Sequence, residues 1–365
     1  MSDQTLRIRR VAVLGAGVMG AQIAAHLANA SVETLLYDLP AKEGDPSGIA
    51  SKAIANLARL SPAPLATKAR GAEIVAANYD QHLELLRGCD LVIEAIAERM
   101  DWKHDLYRKI APHLAPHAIL ASNTSGLPIQ DLARGLPDAL HARFCGVHFF
   151  NPPRYMHLAE LIPIAQTAPA VLQGLEAFLT STLGKGVVTA RDTPNFIGNR
   201  IGVFSILSTM HHTQAFGLGF DVVDALTGPA IGRPKSATYR TADVVGLDTM
   251  GHVIKTMGDT LPQDPWHAYF KAPAWMSALV AKGALGQKSG AGFFRKVGKD
   301  IQVLDLARQD YRLADGTASE AVAAILKLRN PAEKLGQLRE SPDPQAQFLW
   351  SVFRDLFHYT AYHLA

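Results

Sequence analysis

The stretch HFFNPPRYMHLAELIP, His148 to Pro163, sets one imidazole and one carboxylate among apolar residues, with Glu160 twelve positions after His148. Burying either group without a partner shifts its pKa or destabilises the fold. Together they could handle a proton. Imidazole titrates near neutral pH, and a carboxylate on one ring nitrogen would orient the other as a base. A purely structural His–Glu pair fits the same residues.

A second chemical signal lies in GAGVMG, which places Gly15, Gly17 and Gly20 as G-x-G-x-x-G with Val18 and Met19 at the helix start. The motif follows the strand-like run RVAVL, opens the helical stretch AQIAAHLANA, and is answered by Asp38 at the end of TLLYD. In that context Gly15 permits a tight turn, Gly17 lets a pyrophosphate approach the backbone, and Gly20 lets helix and strand pack closely. Asp38 would accept from ribose hydroxyls and repel a 2′-phosphate, which favours NAD over NADP. A turn that binds FAD, or nothing, is the alternative.

These groups need elements to position them. Apolar strand candidates recur at EIVAA, DLVIEAI, AILAS, FCGVHFF, LAELIPI and GVVTA, with helical stretches such as WKHDLYRKIAPHL between several of them. The alternation implies a mostly parallel sheet covered on both faces. Three polar stretches fall at strand ends, where open α/β sheets bind ligands: Glu94 to Lys103, Ser122 to Gly126 (SNTSG) and His148 to Pro152. Taken alone, SNTSG reads as a turn, Asn151 as a turn residue before proline, and Asn199 in NFIGNR as a buried amide. After Asp192 the pattern becomes helical to about residue 285. Asp192 or Thr193 is positioned to cap the segment from Pro194, and DIQVLDLARQDYR reads as a hairpin.

Bulk properties exclude several classes. A 365-residue chain with 19% charged residues and a net charge of +3 has no basic run interleaved with aromatics, so nucleic acid is not an expected partner. No apolar span is long enough to insert in a membrane. Cys89 and Cys145 sit in apolar runs and read as buried thiols of a cytoplasmic protein. No H-E-x-x-H motif or cysteine cluster suggests a metal.

The ordered set GAGVMG, Asp38, SNTSG, HFFNPP with Glu160, NFIGNR and GQKSGAGFF resembles the NAD-dependent L-3-hydroxyacyl-CoA dehydrogenases of fatty-acid β-oxidation, from about residue 8 to 296. The resemblance implies an α/β fold, a Rossmann-type mostly parallel sheet followed by a smaller all-helical domain. It implies oxidation of (3S)-3-hydroxyacyl-CoA with His148 as general base and Glu160 orienting it. Ser122 and Asn199 match the substrate-orienting residues. Glu98, Lys103, Ser122, Asn151 and Lys288 match cofactor contacts, beside Gly15, Gly17, Val18, Met19, Gly20 and Asp38. Lys52, Arg59 and Lys103 are the candidates for holding CoA. A dehydrogenase of a free hydroxy acid, or a crystallin-like NAD-binding protein without turnover, would share the architecture.

The domain reading is 1–192 for NAD, 193–296 for substrate and dimerisation, 297–340 as extension or linker, and 341–365 as the start of a second helical domain. The block GRPKSATYRTADVVGLDT resembles a bacterial form fused to an enoyl-CoA hydratase. The final segment AQFLWSVFRDLFHYTAYHLA, apolar at Phe348, Leu349, Val352, Phe353, Leu356, Phe357 and Leu364, reads either as a helix docking on the helical domain or at a dimer interface, or, with the fused-form resemblance, as a cut helix, mobile or adhering to a neighbouring molecule.

Overall fold

A computed structural model describes residues 7–364 of the chain. Contacts divide it into two compact units, Met1–Gly198 and Asn199–Ala365.

Eight strands form the sheet of the first unit: β1 (Arg10–Leu14), β2 (Glu33–Asp38), β3 (Ile74–Asn78), β4 (Leu91–Glu94), β5 (Ile119–Ser122), β6 (Phe144–Phe149), β7 (Leu158–Pro163) and β8 (Gly186–Thr189). Their spatial order is β3-β2-β1-β4-β5-β6-β7-β8. Pairing is parallel from β3 through β6, whereas β7 runs antiparallel to β6 and β8 parallel to β7. Helices α1 (Val18–Asn29), α2 (Gly48–Leu57), α3 (Met100–Ile110), α4 (Ile129–Ala133), α5 (Asp138–His141) and α6 (Pro169–Ser181) cover it.

The inner strands are apolar almost throughout because both faces are buried, whereas the edge strand β8 is largely exposed. Alternation along β1 shows the two cores: Val11 and Val13 pack on one face with Ile23, Leu27 and Leu175, while Ala12 and Leu14 pack on the other with Tyr107 and Ile110. Strand order reverses at β1, between β2 and β4, and the crevice beyond that point is where such sheets bind ligands.

The helical texture after Asp192 begins differently from the sequence reading. Asp192 does not cap the long helix. Its carboxylate accepts from the N–H groups of Ile129 (2.9 Å) and Gln130 (2.8 Å), capping α4 instead. Asn195 (φ 61°) and Phe196 (φ 49°) adopt left-handed backbone, so the helix cannot start at Pro194. It starts at α7 (Gly198–Phe216). The second unit continues with α8 (Phe220–Leu226), α9 (Tyr239–Val245), α10 (Leu247–Thr260) and α11 (Ala274–Ala281). A small antiparallel sheet follows, made of β9 (Phe294–Val297), β10 (Asp300–Asp305) and β11 (Asp310–Leu313), whose β10–β11 pair is the hairpin read from DIQVLDLARQDYR. The helices α12 (Glu320–Leu326), α13 (Pro331–Glu340) and α14 (Pro344–Leu364) complete it.

Of the two readings of the last segment, the docked helix is the one observed, and the mobile or adhesive one is not. Phe348, Leu349, Val352 and Tyr359 of α14 are buried in one core with Phe204, Leu207 and Met210 of α7. The Tyr359 ring stacks on Phe204 with centroids 3.8 Å apart. Two polar clusters fasten the same helices: Asp355 accepts from His212 (2.7 Å) and Tyr269 (3.1 Å), and Arg200 bonds Asp264 (2.7 Å) and Tyr359 (2.9 Å). The apolar stripe read from the sequence is therefore mostly an internal face, with Phe357 its exposed edge.

Candidate active site

The carboxyl ends of β2, β4, β5 and β6 carry Asp38, Glu94, Ser122 and His148–Phe149 respectively. Parallel register sets Leu14 beside Glu94 and Glu94 beside Ser122, so the glycine turn after β1 and the polar strand ends share one edge.

Each glycine of the turn has its own reason. Gly15 has φ +102°, and a Cβ there would lie 2.7 Å from the Ala95 carbonyl oxygen. A Cβ at Gly20 would lie 1.8 Å from the Gly15 oxygen. At Gly17 nothing lies within 4 Å, so only an approaching ligand needs the missing side chain. The first turn of α1 has no side-chain cap and no acidic residue, leaving its N–H groups and positive dipole end for an anion. Val18 is exposed and Met19 half-buried.

Asp38 receives the N–H of Ala16 (2.6 Å) on one oxygen and that of Leu39 (2.7 Å) on the other. A carboxylate oxygen keeps a second lone pair, so both remain able to accept from ribose hydroxyls. The adjoining cleft of about 500 Å³ is lined by Gly15, Gly17, Asp38, Leu39, Ile96 and Trp102, among others. Open space at Gly17, an uncapped helix start and an acid at the next strand end fit a dinucleotide with an unphosphorylated ribose.

His148 and Glu160 face each other directly across the antiparallel β6–β7 pair. The imidazole Nδ1 lies 2.7 Å from Glu160 Oε2, and both side chains are buried. Glu160 Oε1 accepts from the N–H groups of Ile197 (2.9 Å) and Gly198 (2.7 Å). A carboxylate so supplied holds the proton on Nδ1 and leaves Nε2 as the basic nitrogen. The imidazole lies against Phe150, with centroids 4.4 Å apart, and near Phe196 at 5.8 Å. The pair can accept a proton at Nε2 and stabilise the resulting imidazolium.

Other residues singled out from the sequence hold distinct positions. Asn151 is exposed, and its amide oxygen accepts from Gln22 of α1 (3.1 Å), leaving the amide N–H groups as donors. Glu98 clamps SNTSG, accepting from Thr124 Oγ1 (2.6 Å) and the N–H groups of Ser125 (2.8 Å) and Gly126 (3.2 Å). Burial pushes the Glu98 carboxyl up, but those bonds and the Lys103 charge outweigh it and hold it below its ordinary range. The Lys103 ammonium is enclosed, 2.6 Å from Glu94 and 3.5 Å from Glu98. Ser122 is buried and donates to Glu94 Oε2 (2.7 Å).

Lys52 is exposed on α2. Arg59, expected on the same helix, lies two residues past its end, because α2 stops at Leu57. In the second unit Asn199 is half-buried near the start of α7, and Lys288 pairs with Asp248 at 2.6 Å.

Glu94, which opens one of the polar stretches but carries no individual role in the sequence, is the hub of the strand ends. Besides Lys103 and Ser122 it accepts from Tyr107 (3.0 Å) and the Ile96 N–H (2.8 Å). Its signal was the one used for Glu160: an acid ending an apolar run, DLVIEAI. Gln22, bonded to Asn151, carried no such signal inside an ordinary helix. Cys89 and Cys145 are buried thiols that burial pushes up to about 11 and about 12, so neither is a nucleophile at neutral pH. No helix of the described residues is long and apolar enough to cross a membrane.

Comparison with known proteins agrees with this geometry. Residues 10–193 match the model of the 3-hydroxyacyl-CoA dehydrogenase NAD binding domain, and residues 196–296 match the C-terminal domain of the same family. A probable 3-hydroxyacyl-CoA dehydrogenase of Bacillus subtilis is 39% identical over 97% of this chain and 47% of its own length. A second probable 3-hydroxyacyl-CoA dehydrogenase, from Deinococcus radiodurans, is 44% identical over 80% of the chain and 84% of its own length. The chain thus spans about half the length of the first relative and most of the second. The crystal structure of (S)-3-hydroxybutyryl-CoA dehydrogenase from Ralstonia eutropha superposes with a TM-score of 0.65 at 30% identity, covering 78% of this chain and 98% of that one. With an NAD-binding sheet, a helical second part and both family models matched in order, the chain belongs to the 3-hydroxyacyl-CoA dehydrogenase family.

Proposed function

We propose that the protein oxidises (3S)-3-hydroxyacyl-CoA to 3-oxoacyl-CoA in fatty-acid β-oxidation. The observation that carries this reading is the buried His148–Glu160 pair at the strand ends that also bear the glycine turn and Asp38. Bound NAD supplies the hydride acceptor. Held by Glu160, His148 removes the proton of the 3-hydroxyl at Nε2, and the Glu160 carboxylate stabilises the imidazolium. Positioned acid–base catalysis of this kind contributes about 10²–10⁴ in rate.

Within the same reading, Asp38 and the turn from Gly15 to Gly20 hold the cofactor, with Glu98, Asn151 and Lys288 as further contacts. Ser122 and Asn199 orient the reacting oxygen, and Lys52 and Arg59 meet the CoA phosphates as exposed cations. Lys103, being enclosed, acts through its pairs with Glu94 and Glu98. The name of the Ralstonia eutropha structure supports both the (S) configuration and the CoA thioester. A reducing cytoplasm suits two buried thiols, and we assign the helical unit to dimer formation. A fused hydratase domain rests on the resemblance of residues 232–249, and the greater length of the Bacillus subtilis relative is compatible with it.

The test is NADH formation from (3S)-3-hydroxyacyl-CoAs of several chain lengths, from the (3R) isomers and from free 3-hydroxy acids. Turnover confined to the (3S)-CoA esters and inhibited by CoA is expected. Equal use of free acids sinks the assignment. With NADP in place of NAD the rate should fall sharply, and D38A should narrow that gap mainly by weakening NAD. Equal kcat/KM for the two cofactors in the wild type would show that Asp38 does not face the ribose.

A further inference from the structure

Gly198 opens the nineteen-residue helix α7, yet its backbone needs no glycine, because its φ lies outside the left-handed region. Space explains it. A Cβ at position 198 would lie 2.5 Å from Cζ of Phe150, 3.0 Å from its Cε1 and 3.1 Å from Leu158 Cδ2. Apolar carbons rest about 3.5–4.0 Å apart, so the ring would have to move by about an ångström.

That ring is the one packed on His148, at a centroid distance of 4.4 Å and an angle of 54°. The Gly198 N–H also donates to Glu160 Oε1 at 2.7 Å. One glycine thus touches both members of the pair, Glu160 through its backbone and His148 through Phe150. The imidazole has its Nδ1 bond to Glu160 and the walls of Phe150 and Phe196 to fix its orientation.

We propose that Gly198 and Phe150 are positioning residues for the catalytic imidazole. Gly198 leaves the space that the Phe150 ring occupies, and the ring holds His148 in line with Glu160. The proposal rests on the reading of His148 as the base. Displacing a reacting group by about 1 Å costs up to about 10²-fold in rate, so G198A should lower kcat by about ten- to a hundredfold. The KM for acyl-CoA and the affinity for NADH should hold.

The experiment is a double-mutant cycle of G198A with F150L, read by kcat, KM, NADH fluorescence titration and the nitrogen NMR shifts of His148, beside H148A. Leucine at 150 vacates the space a Cβ would invade. G198A should therefore cost little further in the F150L background, where only Leu158 Cδ2 at 3.1 Å must give way, while each single variant loses kcat and shows an altered His148 tautomer balance. Losses that multiply, or a wild-type kcat in G198A, overturn the proposal. If circular dichroism shows G198A unfolded, F150L decides alone: lower kcat with unchanged NADH affinity supports the proposal, and wild-type kcat refutes it. Wild-type turnover in H148A removes the underlying reading and this inference with it. If the wild type turns over none of the substrates, the NMR shifts still decide, because they report the imidazole without turnover.

Discussion

At the scale of single residues, the His148–Glu160 pair owes its strength to how fully Glu160 is supplied. Three donors reach its two oxygens, from His148, Ile197 and Gly198. E160Q keeps the shape but places an amide where an acceptor is needed on one side or the other, so the imidazole loses its fixed tautomer. We expect E160Q and H148A to lower kcat by about 10²–10⁴, with NADH affinity unchanged because Asp38 and the glycine turn are untouched. Steady-state rates near wild type in both would remove the pair from the mechanism. His148 and Glu160 were readable from sequence as isolated ionisable groups in apolar runs. Their opposition across β6–β7 was not, since it depends on the register of two antiparallel strands.

At the scale of elements, the turn joining β1 to α1 separates folding from binding within one motif. G20A drives a methyl into the Gly15 carbonyl. It should destabilise the first unit by several kcal/mol, on the order of the larger backbone and overpacking effects. G17A meets nothing, so stability should stay within about 0.5 kcal/mol while NADH affinity falls at least tenfold. Thermal melts and fluorescence titration of the two proteins check this. Equal binding by G17A and wild type would mean the pyrophosphate does not approach Gly17. The strands themselves were plain in the sequence because buried parallel strands are continuous apolar runs. The start of α7 was not. Asp192 looks like a cap for the helix beginning at Pro194, but it caps α4, more than sixty positions earlier in the chain.

Across the whole molecule, one source of acid sensitivity in the first unit is a group outside the site. Burial first, and then the Lys185 charge, lower the His26 imidazole from 6.5 to about 4, against a raising contribution from its bond to the Leu183 carbonyl. Its Nδ1 is buried without a partner, which suits the neutral form. A base with a depressed folded pKa adds stability that is full above pH 6.5 and lost as pH falls toward 4. Across that interval, 6.5 to about 4, the loss is on the order of 3 kcal/mol, at about 1.4 kcal/mol per pKa unit. H26Q, which keeps a donor for Leu183, should flatten the melting temperature between pH 7 and 4. A curve parallel to wild type over that span would assign the sensitivity elsewhere. In the second unit, Phe348 is fully buried in the core shared by α7 and α14. F348A should cost about 3–5 kcal/mol and leave the C-terminal helix open to proteolysis that the wild type resists. Rapid cleavage of that helix in the wild type would contradict its integration into the core.

What the sequence determined by itself is what local chemistry dictates. The glycine spacing with Asp38 specified a dinucleotide turn, apolar runs between helical segments specified a covered parallel sheet, and two lone ionisable groups in apolar runs marked His148 and Glu160 as a pair. Such signals are legible because each depends on residues close in the chain or on a periodicity within one element. Tertiary structure decided the rest, because the deciding partners are distant in sequence. Glu94 became a hub only when Lys103, Tyr107 and Ser122 converged on it. The apolar stripe of α14, which alone reads equally as a docking face or an adhesive surface, became interior once α7 offered Phe204 and Met210 to cover it. Hydrophobicity states that a face must be buried, and only the packed fold states against what.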